Sequence, residues 1–313
     1  MPSLQARIIE LLLPLSGFRR LLASEESLRR RIPDLRRRGP ALPSRRMRRR
    51  FLIGEREVRG SRVFTVAPRT GAAPHHVMYL HGGGYFAGIV TAHWGIIARL
   101  IRRTRCTVTA PLYPLAPEHT VTDMFALLLP LWRELAAEVG ADNLTVMGDS
   151  AGAGISLALA QLLRDRDEPL PARLVLISPW LDVTLSDPSQ PELARRDRLL
   201  DIPGARAAGA MYAGDLPPTD PRVSPLFGSL TRLPPIAVFA GTHDLLYPDA
   251  LRLRDRAAEQ GAALEHYDYE GLFHGWLGVP LPESTRAMDQ IAAFIAAAPE
   301  PRSPRSAPAD RRR

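Results

Sequence analysis

The stretch Leu144-Thr145-Val146-Met147-Gly148-Asp149-Ser150-Ala151-Gly152-Ala153-Gly154-Ile155 reads as an apolar run, a Gly-Asp-Ser-Ala-Gly turn and the start of a helix. A serine with glycines two positions to either side, at a strand-to-helix junction, suits a sharp turn that lifts a hydroxyl above the sheet. The flanking glycines let strand and helix backbones pass closely, and the serine must accept a strained backbone. A tight turn with a merely structural serine would read the same way. The surrounding sequence separates the two.

Outward from this turn, short β-like runs alternate with helical ones. Strands are expected at 62–67, 76–80, 107–112, 144–148, 173–177, 236–240 and 264–269, and helices at 93–103, 121–139, 151–164, 248–260 and 283–298. Several strands are unbroken apolar runs, as strands buried on both faces are. The alternation predicts an α/β fold, a mostly parallel central sheet with helices on both faces. Between Leu181 and Leu233 no strand is legible and seven prolines punctuate short helical pieces, so an insert at about 185–225 is expected to form a helical cap. The helical pattern from Leu4 to Leu28 has no place in the sheet and is expected on the same cap. Residues 1–50 are expected to form an Arg-rich N-terminal cap segment, 51–300 the body that holds the sheet, and 301–313 a disordered basic tail.

The chemistry lies at the ends of those strands. His81-Gly82-Gly83-Gly84-Tyr85 follows the strand at 76–80, and its glycine amides can converge on one anionic oxygen. Gly82 and Gly83 are the expected donors, joined by the amide of Ala151, the residue after the serine. A phosphate loop is the weaker reading, because G-x-G-x-x-G fails at Ala87. Asp244 lies just past the strand at 236–240 and is the expected acid. Its rival Asp249 reads better as a helix cap. His274, in Gly271-Leu272-Phe273-His274-Gly275-Trp276, is the expected base, while His81, His243 and His266 read as structural. The order Ser150, Asp244, His274 is the one this turn requires. Tyr85, Trp180 and Tyr212 are expected in the pocket wall, with aromatic core packing the competing role.

The chain has 313 residues, 45% hydrophobic and 24% charged, as ordinary globular proteins do. Its single cysteine, Cys106, excludes an internal disulfide, and the metal spacings CxxC and HExxH are absent. No metal is expected. All 41 basic residues are arginine. Residues 1–50 carry +10 and 301–313 carry +4, which leaves −6 for 51–300. The runs Arg29 to Arg31, Arg36 to Arg38 and Arg45 to Arg50 could attract nucleic acid or anionic lipid. No aromatic residues interleave them, so a solvated arginine-rich segment is the expectation, with no nucleic-acid partner. The apolar stretch from Ile8 to Leu15 is too short to span a bilayer and lacks a cleavage site. A cytoplasmic protein without stable membrane insertion is expected, and a homodimer is compatible with the sequence.

His81–Tyr85 (HGGGY), Tyr113–His119 (YPLAPEH), Gly148–Gly152 (GDSAG), Ile177–Asp182 (ISPWLD), Ser224-Pro225-Leu226, Gly241–Leu245 and Phe273–Trp276 together resemble the hormone-sensitive-lipase-like esterases, a branch of the α/β-hydrolases. The resemblance spans roughly residues 75–277. It implies a Ser150–His274–Asp244 triad, an oxyanion hole at Gly82, Gly83 and Ala151, and a helical cap from the N-terminus and the insert. It also implies cofactor-free hydrolysis of short- to medium-chain carboxylic esters through an acyl-enzyme. Some members cleave lactones, acetyl esters or amides, and some relatives became non-catalytic receptors after losing the histidine that this chain keeps. The chain departs from the family at Asp244-Leu245-Leu246, where Asp-Pro-Leu is common, at Thr120 to Asp123, which lacks Pro-Phe-Pro, and at Ala153-Gly154, where Gly-Asn is common.

Overall fold

Among the described residues eight strands form one sheet: β1 Phe51–Val58, β2 Ser61–Pro68, β3 His76–Leu80, β4 Thr107–Pro111, β5 Leu144–Asp149, β6 Arg173–Ile177, β7 Ile236–Gly241 and β8 Leu264–Tyr269. The structure is a computed structural model and describes residues 1–297, so the tail expected at 301–313 lies outside the described residues. The spatial order is β1-β2-β4-β3-β5-β6-β7-β8. Strands from β4 to β8 run parallel, and β1 and β2 join antiparallel at one edge. Every residue of β3, β5, β6 and β7 is buried. That two-sided burial is why their sequences are continuous apolar runs rather than alternating ones.

The strand β1 was not legible from composition. Gly54, Glu55, Arg56 and Glu57 leave it mostly exposed, as an edge strand can be. Its place comes from a hairpin instead: Arg59 and Gly60 both have positive φ, 48° and 78°, which suits the two-residue type I′ turn that pairs Val58 with Ser61.

Helices cover both faces. In chain order they are α1 Leu4–Leu12, α2 Phe18–Leu21, α3 Glu25–Arg38, α4 Arg45–Arg50, α5 Thr91–Thr104, α6 Val121–Val139, α7 Ala151–Asp165, α8 Gln190–Arg196, α9 Ile202–Ala213, α10 Tyr247–Glu259 and α11 Pro282–Ala296. The apolar faces of α6, α7 and α10 share one core with Met78 and Leu80 of β3. Those of α5 and α11 share the other with Val77 and Tyr79, the alternate side chains of the same strand.

The arginine runs at 29–31 and 36–38, expected in a solvated segment, lie on one helix. Ser24 caps α3, Glu25 and Glu26 sit in its first turn and Arg36 to Arg38 in its last, an arrangement that complements the helix dipole. Leu28 and Ile32 form its buried face. Arg36 pairs with Glu118 at 2.7 Å and donates to the carbonyls of Phe86 and Ala116, so this cation is a structural tie. The N-terminal segment also meets the 185–225 insert: α3 packs on α9, the Gly204 amide donates to the Leu22 carbonyl at 2.8 Å, and Arg19 pairs with Asp201 at 3.3 Å.

The sheet and α7 approach each other too closely for side chains at the turn. A Cβ on Gly152 would lie 2.0 Å from the Leu80 carbonyl oxygen, and one on Gly148 would lie 2.3 Å from that of Gly152. Gly152→Ala therefore forces β3 and α7 apart. The expected outcome is a stability loss of about 3 kcal/mol, read from the denaturation midpoint, because backbone cannot move aside as a flexible side chain can. A variant with unchanged midpoint would contradict this packing.

Candidate active site

Ser150 stands between β5 and α7 with φ 53° and ψ −122°, a strained conformation for a residue with a side chain. Its amide donates to the Ile177 carbonyl at 2.8 Å, and its carbonyl accepts from the Trp180 amide at 3.1 Å. One partner ends β6 and the other lies in the loop just after it, so the turn is held by the neighbouring strand and its exit.

Three side chains from three strand ends meet here. The His274 Nε2 lies 2.9 Å from Ser150 Oγ, and His274 Nδ1 lies 2.8 Å from Asp244 Oδ2. With Nδ1–H donating to the carboxylate, Nε2 is left to accept the serine proton. The second carboxylate oxygen of Asp244 accepts from the Leu246 amide at 2.9 Å. All three residues are buried. Burial opposes charge on His274, yet Asp244, its hydrogen bond, and the charges of Asp197 and Asp149 outweigh that effect, and the pKa is raised.

The expected rival, Asp249, is elsewhere. It is buried against Arg252 at 3.0 Å and Gln190 at 3.4 Å, and burial followed by the charge of Asp182 pushes its pKa up to about 7. It makes a salt bridge three residues on rather than capping α10. His243 pairs with Glu10 at 2.8 Å, and His266 with Asp268 at 2.9 Å. His81 stacks on Tyr113 at 4.2 Å and binds the Gly82 carbonyl at 2.7 Å; burial lowers its pKa to about 3, so it stays neutral.

The glycine loop differs from expectation at Gly82. Its amide donates to Asp149 Oδ1 at 3.1 Å and is therefore occupied. The amides of Gly83, Gly84 and Ala151 have no hydrogen-bond acceptor among the described residues, and Gly83 and Gly84 line a cavity with Ser150 and His274. Asp149 is the reason for the difference. Its buried carboxylate also accepts from Tyr79 and sits 3.2 Å from His93 Nε2, so one side chain ties the glycine loop to the serine turn. Burial opposes its charge, but His93 and these hydrogen bonds win, and its pKa is lowered. His93, which sequence reasoning missed, accepts from the Val90 amide at 2.9 Å through Nδ1 and so presents Nε2–H to Asp149. No local pattern marks it, since its partner is 56 residues away.

The cavity has a volume of about 330 Å³. Phe18 and Leu22 from the N-terminal segment, Leu199, Leu200, Ala205 and Ala208 from the insert, and Ile96 and Leu277 from the body make it apolar. Of the three expected wall aromatics only Trp180 reaches it. Tyr85 and Tyr212, expected in the wall, are instead core residues, stacked on each other at 3.8 Å and 1°, with Trp180 at 5.0 Å from Tyr85. The cause is the backbone at Tyr85, whose φ of 66° accompanies a ring packed against α7, with its hydroxyl 3.2 Å from the place a Gly154 Cβ would occupy.

A further missed residue is Asp197, between α8 and α9. Its Oδ2 accepts from the Leu245 amide at 2.8 Å, and its Oδ1 from those of Leu199 and Leu200. The insert thus grips the loop that carries Asp244. Burial and then the charge of Asp244 raise the pKa of Asp197. Among the described residues no cluster of three His, Cys, Asp or Glu side chains suits a metal, and no helix is long and apolar enough to cross a membrane.

An activated serine beside unoccupied amides is suited to acyl transfer. Labelling of Ser150 by a fluorophosphonate requires neutral His274, so its rate should climb with pH through a midpoint above the ordinary imidazole value of about 6.5. The sign for stability is opposite. A raised pKa favours the charged ring in the fold, a contribution present below about 6.5 and lost as pH rises through the folded value. Asp197→Asn removes a nearby negative charge and should move the labelling midpoint to lower pH. A midpoint unmoved by that change would reject the electrostatic role of Asp197.

A sequence model described as alpha/beta hydrolase fold matches residues 77–278. An esterase of Acinetobacter venetianus is 33% identical over 71% of this chain and 75% of its own length. An acetyl-hydrolase of Streptomyces hygroscopicus is 33% identical over 70% of this chain and 74% of its own. The crystal structure of a hormone-sensitive lipase from a metagenome library superposes with a TM-score of 0.79 at 25% identity, over 93% of this chain and 97% of that one.

Proposed function

The chain belongs to the α/β-hydrolase fold family and is a carboxylic-ester hydrolase, and from that premise we propose that Ser150, His274 and Asp244 carry out the hydrolysis of short- to medium-chain esters. The observation that carries the assignment is the pair of contacts on one imidazole, 2.9 Å to Ser150 Oγ and 2.8 Å to Asp244 Oδ2.

In this reading Ser150 Oγ bonds to the ester carbonyl carbon while its proton passes to His274 Nε2. The carbonyl π electrons move onto oxygen, and the amides of Gly83, Gly84 and Ala151 hold the resulting anion. Ala151 opens α7, whose first amides have no intrahelical partner, so the helix dipole adds to the same field. Collapse of the intermediate breaks the bond to the alcohol oxygen, which takes the proton from His274. Water then repeats the two steps and releases the acid. Asp244 keeps the imidazole in the reactive tautomer and stabilises it while charged. Asp149 holds the glycine loop and has no part in proton transfer.

A cavity of about 330 Å³ is at the small end for a ligand site, and its apolar lining suits an unbranched acyl chain. The N-terminal segment and the 185–225 insert act as the cap in this proposal, since residues of both close the cavity. No cofactor enters any step.

A panel of p-nitrophenyl esters tests this directly. The highest kcat/KM should fall between acetate and octanoate and drop steeply at longer chains. Ser150→Ala should lose about 10⁵- to 10⁶-fold in kcat. Lactone and amide arms in the same panel separate the ester reading from its close alternatives. A preference for palmitate, or full turnover by Ser150→Ala, would overturn the assignment.

A further inference from the structure

Among the described residues ten large hydrophobic side chains are exposed, and six of them gather at the N-terminus. Met1, Leu4, Ile8, Leu11, Leu12 and Leu15 are between 48% and 94% exposed. At about 100° per residue, positions 4, 8, 11 and 12 fall within one stripe about 100° wide, and Leu15 prolongs it. The opposite side of α1 carries the buried Ala6 and the partly buried Ile9 and Leu13, which pack on the body. The helix is therefore already folded and docked. The Ser3 amide and hydroxyl bind Glu283, and Glu10 binds His243. Its outward apolar face covers nothing among the described residues, and a contiguous exposed apolar patch marks an interaction surface.

Charge beside the stripe narrows the partner. A cleft of about 710 Å³ is lined by Leu11 and Pro14 of the N-terminal segment and by Arg195, Arg196 and Arg198 of the insert, and Arg7 and Arg19 also line it. Arg19 is paired with Asp201, and Arg196 with Glu192. Arg7, Arg195 and Arg198 are exposed and have no carboxylate partner among the described residues. The acids in the cleft are already engaged: Glu10 by His243, and Asp197 by three backbone amides. Residues 51–300 are net acidic, so this positive edge is a local and directional feature.

We propose that α1 and the arginines of this cleft form a docking surface for an anionic phospholipid bilayer. The stripe lies along the acyl-chain boundary with α1 in the plane of the surface, and Arg7, Arg195 and Arg198 meet lipid phosphates. A second copy of the chain is a poorer occupant, because a self-complementary interface over this face would bring the unpaired arginines of both copies together. The residues 298–313 are poorer still, since they contain no apolar side chain larger than proline. Docking would set the active-site cavity at the lipid: Ser16 and Phe18, directly after the stripe, line that cavity.

The test is flotation of the purified full chain with vesicles of phosphatidylcholine alone and of phosphatidylcholine with phosphatidylglycerol in equal parts. Binding to the mixed vesicles is expected to exceed binding to the neutral ones at least tenfold at low salt, and to fall as salt rises. Leu11→Ser with Leu15→Ser should lower that binding at least tenfold while leaving hydrolysis of soluble p-nitrophenyl butyrate unchanged. Arg195→Glu with Arg198→Glu should abolish the preference for anionic vesicles. Full chain that stays with the soluble fraction, or leucine variants that bind as wild type, would overturn the proposal. So would a dimer in sedimentation velocity that the leucine variants dissolve, which would assign the stripe to self-association. The readout is binding, so it stands apart from whether Ser150 is the nucleophile.

Discussion

At Ser150 the chain adopts φ 53° and ψ −122°, backbone that a side-chain-bearing residue keeps only where its neighbours over-determine it. Here they do. The amide and carbonyl of Ser150 are bonded to the end of β6 and the loop just after it, and the glycines at 148 and 152 allow β3, β5 and α7 to close to distances no Cβ would permit. The carboxylate of Asp149 then fastens the neighbouring glycine loop to the same turn. The hydroxyl is held above the sheet by packing, and the amides that face it are held by a single buried charge.

That charge belongs to a wider arrangement. Three carboxylates, those of Asp244, Asp197 and Asp149, act on one buried imidazole and raise its pKa against the pull of desolvation. Only Asp244 touches it. Asp197 comes from the insert and grips the Leu245 amide, so the position of the acid depends on the insert that also closes the cavity. Shape and charge at the site therefore share one support. The N-terminal segment completes it, through Phe18 and Leu22 in the cavity wall and Arg36 behind the glycine loop.

Much of this was legible in the residues. The four central strands show as apolar runs because both their faces are covered, and three expected strands, at 76–80, 173–177 and 264–269, have the observed bounds. The helix at 121–139 also has its expected bounds. Ser150, Asp244 and His274 were legible because each follows a strand end with glycine close by. What failed to show depends on contacts across the chain. The strand β1 is polar and owes its place to a hairpin. Gly82 looked equivalent to Gly83 until Asp149 distinguished them. Tyr85 was expected in the cavity because it follows the glycine loop, but its positive φ accompanies a ring stacked on Tyr212. His93 and Asp197 act on partners 56 and 48 residues away, beyond any local pattern.

The central claim is that a covalent acyl group passes through Ser150. Mixing the enzyme with excess p-nitrophenyl butyrate, quenching in acid within the first turnovers and digesting it gives peptides whose masses locate the acyl group. The peptide containing Ser150 is predicted to carry one butyryl group, with p-nitrophenol released in parallel and no such adduct in Ser150→Ala. Continued turnover with that peptide unmodified at every time point, and undiminished in Ser150→Ala, would contradict it.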